Sequence, residues 1–201
     1  MSDTAFPPAP LTLEGSAILH QMLRVKWGTT IPDTALKLLS SMQSNTAAFS
    51  MLGHKGDLML LHFRDSLEQL NQVEQDLGRA GLFSAFELVN SYVSVVELGL
   101  YESTGKFYAE MAEKKIAPYS EEWDAAAADI LERSRKAMAV RLYPEIPPAK
   151  YVCFYPMDRK RGEVKNWYSV PMKERSSMMH VHGMNGRRYA GKVRQIISGS
   201  I

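Results

Sequence analysis

The residues best equipped for chemistry crowd into the last quarter of the chain. Tyr155-Pro156-Met157 is followed by a basic loop, Asp158-Arg159-Lys160-Arg161, and then by Asn166-Trp167-Tyr168. A Met-rich segment carries His180 and His182, and Gln195 stands alone among apolar neighbours near the end. A phenol can be oxidised or can hydrogen-bond a carboxylate. An imidazole can ligate a metal or move a proton near neutral pH. Guanidinium groups match carboxylate and phosphate oxygens in a planar fork.

Charge points the same way. From Lys150 onward there are 11 Lys and Arg against three Asp and Glu, a net +8, whereas the first 149 residues carry 13 against 19, a net −6. Such asymmetry suggests that the last part faces an anion, with nucleic acid, anionic membrane and a polycarboxylate as candidates. A merely solvated basic face is the alternative.

These side chains need elements to aim them. If residues 151–157 form a strand, Tyr151, Cys153, Tyr155 and Met157 share one face. Pro171 suits the first turn of a helix that runs to about Arg188. On that helix His180 and His182 lie about 200° apart and cannot share a ligand. His182 shares a face with Met178 and Met179, so it is the inward histidine, either a satisfied core residue or a ligand. If residues 192–198 form a strand, Gln195 points where Val193 and Ile197 point. A buried amide needs partners, so it is either a core hydrogen bonder or a pocket residue.

Several chemistries lack support. Gly183 to Gly186 has no strand–Gly-rich–helix setting for a phosphate loop. His180, His182 and Cys153 make a poor zinc set, and no nucleophile elbow is present. His54 and His62, on an expected hairpin, read as ordinary surface or core residues. A nucleic-acid role is disfavoured because Tyr155, Trp167 and Tyr168 are not interleaved with the cations. The other function classes are a non-catalytic binding module and, because His182 lies on a soft Met-lined face in a basic surround, an enzyme acting on an apolar, anionic, iron-bearing macrocycle.

The chain holds 201 residues, 45% hydrophobic and 23% charged, with a single cysteine. That is the make-up of a soluble globular protein without an internal disulfide, expected to be cytoplasmic. No apolar run is long enough for a membrane span. Residues 1–14 read as a Pro-rich tail without signal-peptide character. Residues 15–101 read as strand (16–27), helix (from Pro32 to about Ala48), two strands (49–52 and 58–64), a helix capped by Ser66 with Gln69, and a long strand (87–101). This βαββαβ order is the ferredoxin-like unit. Residues 102–149 are a helical connector ended by Pro144, Pro147 and Pro148. Residues 150–201 begin a second such unit, of which only strand, helix and strand can be counted, so a shortened chain is expected. The fold class is α+β, with two ferredoxin-like units, the second incomplete.

The ordered set of motifs resembles the coproheme decarboxylases of the chlorite dismutase superfamily. It comprises Arg141-Leu142-Tyr143-Pro144, Tyr155-Pro156-Met157, Asn166-Trp167-Tyr168, the run from His182 to Lys192, and Gln195-Ile196-Ile197-Ser198-Gly199-Ser200. The resemblance implies a dimeric α/β-barrel type of fold, a homopentamer, and hydrogen peroxide as co-substrate. Iron coproporphyrin III would be both substrate and redox cofactor, and haem b the product of losing two propionate carboxyls. It also implies that His182 is the proximal iron ligand and Tyr155 the oxidisable residue. Arg141 would bind a propionate, Met157 and Trp167 would line the porphyrin, and Gln195 would be the distal glutamine. Arg159 stands where the family usually carries a propionate-binding lysine. It keeps the charge without a lysine's option of giving up a proton. A neutral amide at Gln195, in place of the distal arginine of chlorite dismutases, favours decarboxylation over chlorite breakdown. A chlorite dismutase-like protein, or a non-catalytic haem binder, is the alternative.

Overall fold

The computed structural model describes residues 10–200, which fold into two compact units. One comprises residues 14–97, 139–152 and the chain from Ile196 onward. The other is formed around residues 98–138 and 153–195.

The first of these is built on a sheet of five strands: β1 (Thr12–Val25), β2 (Thr46–Ser50), β3 (Leu58–Arg64), β4 (Phe86–Gly99) and β5 (Ser198–Ser200). Their order is β2-β3-β1-β4-β5. β1 and β2 both pair antiparallel with β3, and β5 pairs antiparallel with β4. Helices α1 (Asp33–Ser41) and α2 (Leu67–Arg79) complete the βαββαβ order, with a single turn, α3 (Leu82–Ala85), before β4. This is the ferredoxin-like arrangement expected from the sequence.

Local chemistry explains the boundaries. The Ser66 side chain accepts the Gln69 backbone N–H and caps α2, as its spacing predicts. Gly81, at φ +84°, turns the chain after α2 in a region that disfavours other residues. α1 is shorter than expected: it stops at Ser41, and Thr46 already opens β2.

One face of the sheet packs Leu23 and Leu60 against Val73 and Leu77 of α2, with Ala35 of α1. On the other face Ile18, Leu61, Phe63 and Val96 form a second cluster, which Ile146 and Ile196 join. Leu142 is fully buried at the end of a one-turn helix, Ala139–Leu142. A Cβ on Gly15 would overlap the Leu142 carbonyl, so β1 and this turn touch backbone to backbone.

A chain of polar side chains crosses the helix-covered face. Arg64 Nη2 donates to Thr46 Oγ1 (3.2 Å), and Thr46 Oγ1 lies 2.9 Å from His62 Nδ1. His62 Nε2 lies 3.3 Å from Gln21 Oε1, and Gln21 Nε2 donates to Glu74 Oε1 (3.0 Å). Arginine can only donate and a carboxylate can only accept. The carboxylate end imposes the direction: Gln21 gives an Nε2 proton to Glu74 and turns Oε1 to His62, so His62 carries its proton on Nε2, and its neutral Nδ1 accepts from the Thr46 hydroxyl, which in turn accepts from Arg64. Burial, then the nearby charges of Arg64 and His20, push the His62 pKa down to about 4, in keeping with this neutral form. His20, on the opposite face of β1, is also lowered to about 4 by burial, against a backbone hydrogen bond with Tyr92 that works the other way.

The second unit is helical. The stretch over residues 102–140, helical in composition, forms α4 (Tyr101–Glu113) and α5 (Glu121–Ala137), and the one-turn helix Ala139–Leu142, α6, belongs to the sheet unit. Lys115 and Tyr119 have positive φ on either side of Pro118, and Ser120 restarts the helix by accepting the Trp123 N–H. Phe107 and Trp123 meet edge to face at 4.7 Å, and Met111 and Ile130 pack around them. α7 (Met172–Arg187) follows a 3-10 turn at Trp167–Ser169 and packs against α4.

Two sequence expectations fail here. Residues 151–157 form no strand despite their aromatic and β-branched content. The strand expected over 192–198 is confined to Ser198–Ser200, and it joins the edge of the first sheet beside β4. Strand propensity measures fit to a paired, half-buried surface, and residues 151–157 have no partner strand among the described residues.

Candidate functional site

The basic loop is shaped by a short antiparallel ladder. Arg161 bridges Asn166, the Trp167 N–H donates to the Lys160 carbonyl (2.8 Å), and the Gly162 N–H donates to the Lys165 carbonyl (3.0 Å). Asn166 then caps the 3-10 turn by accepting the Tyr168 N–H at 2.9 Å. These bonds bring cations onto rings. The Arg159 guanidinium lies 4.8 Å over Trp167, and that of Arg161 lies 4.7 Å over Tyr168. Arg161 also donates to the Tyr168 hydroxyl at 3.2 Å. Trp167 and Tyr168 are thus paired with the cations after all, contrary to the sequence argument. One face of each ring is taken by a guanidinium, which leaves a poorer base-stacking platform than free aromatics provide.

Tyr155 and Met157 are 56% and 76% exposed. Tyr151 and Cys153 are exposed as well, whereas Phe154 is half-buried. Val152 and Pro156 are exposed too, so the alternation expected of a strand does not appear in the burial of these side chains.

On α7 the covered line is Met172, Arg175, Ser176 and Met179. His182 continues that line, three residues beyond Met179, but every residue from Val181 to Gln195 is exposed. The expectation of an inward histidine is corrected: His182 has the right direction, and the cover stops one turn short of it. His180 points elsewhere. Glu102 on α4 is held below the usual carboxylate range mainly by Lys106, its hydrogen-bonded partner, and His180 adds a smaller pull. The two histidines have separate surroundings.

Gln195 is exposed, together with Val193 and Ile197, while Ile196 packs into the sheet core. The expected burial is therefore reversed: the face holding Gln195 is the open one. Arg141 is exposed on α6, in the other compact unit, where the buried Leu142 beside it anchors the turn. Tyr155, Met157, Arg159, Trp167, His182 and Gln195 all belong to the helical unit.

The arrangement offers an accessible imidazole, an accessible phenol and guanidinium groups stacked on rings. Among the described residues, most of the exposed large apolar side chains lie after residue 150. No group of three or more His, Cys, Asp and Glu forms a metal cage among them.

The family model for chlorite dismutase matches residues 29–201. The chain belongs to the chlorite dismutase family. A solved structure from Thermus thermophilus, described as a novel heme-binding protein, is 31% identical to this chain. The match covers 96% of this chain and 75% of that one, with a TM-score of 0.71. In this member of the chlorite dismutase family no helix among the described residues is long and apolar enough to cross a membrane. Sequence reasoning passed over Arg161 and Tyr168 as functional partners. Seven residues separate them, and only the ladder at Arg161–Asn166 makes them neighbours.

Proposed function

We propose that the chain binds an iron porphyrin and catalyses the peroxide-dependent oxidative decarboxylation of iron coproporphyrin III to haem b. The observation that carries this reading is the pairing, in one compact unit, of exposed Tyr155 and His182 with a guanidinium already stacked on Trp167. Membership of the chlorite dismutase family and the heme-binding relative support the porphyrin as ligand.

In this reading His182 holds the iron, which when bound supplies the reaction with peroxide. Arg159 would hold a propionate, and Met157, Trp167 and Gln195 would line the pocket. Tyr155 gives up its phenolic hydrogen atom and recovers one from a propionate arm. Each carboxylate arm loses carbon dioxide, two electrons and one proton and becomes a vinyl group. One peroxide takes up those electrons, that proton and a second proton from solvent and becomes two waters. The protein works in the cytoplasm as a homopentamer, without nucleic acid as partner.

The test is Tyr155→Phe, which keeps the ring and removes only the oxidisable oxygen. The variant should bind iron coproporphyrin like the parent and release no carbon dioxide with peroxide, as followed by mass spectrometry of the porphyrin. Haem b formation at the parental rate would remove Tyr155 from the mechanism. The heme-binding relative favours a second reading, a porphyrin carrier without turnover. Tight porphyrin uptake by the parent protein with no mass loss under peroxide would establish that reading.

A further inference from the structure

We infer that Arg161, seated on Tyr168, is a second carboxylate fork that acts beside Arg159 on Trp167, so that the loop grips two neighbouring carboxylate arms of one ligand. The inference rests on the porphyrin reading above and adds a specificity determinant to it.

Four observations carry it. Both guanidinium groups lie over ring faces, at 4.8 and 4.7 Å from the ring centres. A stacked guanidinium keeps its N–H donors at its edge, where a carboxylate can take two of them in one plane. Second, the two arginines are two residues apart at the mouth of a ladder whose bonds join Lys160 to Trp167 and Gly162 to Lys165, so the same short segment carries both. Third, both side chains are exposed, and among the described residues neither has a carboxylate within ion-pair distance. Of the five N–H groups on Arg161, one goes to the Tyr168 hydroxyl. Fourth, the rings that hold the forks follow each other in sequence and are fixed by the Asn166 cap. Both forks are therefore ordered before a ligand arrives, which lowers the entropy lost on binding.

The surrounding charge is mixed. Asp158 adds a weak pull on Arg161, whose pKa is raised mainly by its hydrogen bond to Tyr168. Lys160 between the two arginines is exposed and adds positive charge. A monocarboxylate could satisfy one fork only. A macrocycle with carboxylate arms on adjacent positions satisfies both.

Binding separates this from a structural role. Fluorescence titrations of the full chain would use metal-free coproporphyrin III and its tetramethyl ester in the same detergent buffer. Arg159→Met and Arg161→Met should each weaken the free acid about tenfold, and the double variant about a hundredfold. Ester affinity should not change in any of them. Tyr168→Leu should lose most of what Arg161→Met loses, and Tyr168→Phe less. Parental affinity of Arg161→Met for the free acid would overturn the second fork and leave the porphyrin reading standing. So would an equal loss for acid and ester, since that marks damage to the loop. A double variant no worse than the worse single one would place both arginines on one carboxylate and overturn the two-arm grip. Failure of the parent protein to bind either compound would sink both the fork and the porphyrin reading.

Discussion

The Arg159 guanidinium lies 4.8 Å over the Trp167 ring. It occupies the position where resemblance to the coproheme decarboxylases leads one to expect a lysine. A lysine is a mobile point charge, whereas a stacked arginine is a planar fork held in place. The substitution therefore exchanges adaptability for orientation. Trp167→Leu should release Arg159 and weaken porphyrin binding about two- to fivefold, the size of an exposed cation–π contact. Isothermal titration with iron coproporphyrin checks this, and unchanged affinity would show that the stack contributes nothing to recognition.

The histidines provide the next test. His182 continues the covered line of α7 and is exposed, while His180 contributes to the field at Glu102. In the ferrous porphyrin complex the iron–histidine stretch in resonance Raman spectra should vanish in His182→Ala and persist in His180→Ala. The opposite pattern would reassign the ligand.

Stability should fall in mild acid. His20 and His62 drop from 6.5 in the unfolded chain to about 4 in the fold. Below pH 6.5 the unfolded chain takes up protons that the fold refuses, so their contribution is fully present above about pH 7. It declines as pH falls from 6.5 to 4 and levels off below that. At completion each histidine costs about 3 kcal/mol. Urea midpoints measured at pH 7.5, 5.5 and 4.5 should fall more steeply in the parent than in His62→Gln. Equal slopes would mean that His62 titrates normally.

Gly15→Ala tests the anchor of the turn that carries Arg141. Its Cβ would run into the Leu142 carbonyl, which belongs to backbone and has no rotamer to escape by. A loss of about 1–3 kcal/mol, the usual cost of overpacking, should appear in thermal unfolding. A melting temperature equal to the parent's would mean that the turn shifts freely.

The sequence was most legible where local rules agreed with one another. The Ser66–Gln69 cap and the apolar runs of β1 and β3, bounded by the helices between them, agreed with one another and defined the βαββαβ unit. It was least legible after residue 150. There Tyr151, Cys153, Tyr155 and Met157 sit at strand spacing in the sequence, but spacing specifies a strand only when a neighbour pairs with it, and nearly all of residues 151–157 are exposed. Gln195 was assigned to the buried face by its apolar neighbours, yet Ile196 is the residue that enters the core. Period two cannot say which of two faces is covered. Of the site, residue types were readable and contacts were not, because the stacking of Arg161 on Tyr168 follows from a ladder that no local pattern announces.

His62 was read as an ordinary hairpin residue, and its place between Thr46 and Gln21 has a wider consequence. A polar relay with a donor-only group at one end and an acceptor-only group at the other can be satisfied in one alignment of its strands. Slipping β3 by a single residue would send the imidazole to the opposite face and leave Thr46, Gln21 and Glu74 without their correspondents. An all-apolar interior would tolerate such a slip far better. The relay thus favours the native alignment of these strands over its one-residue slips.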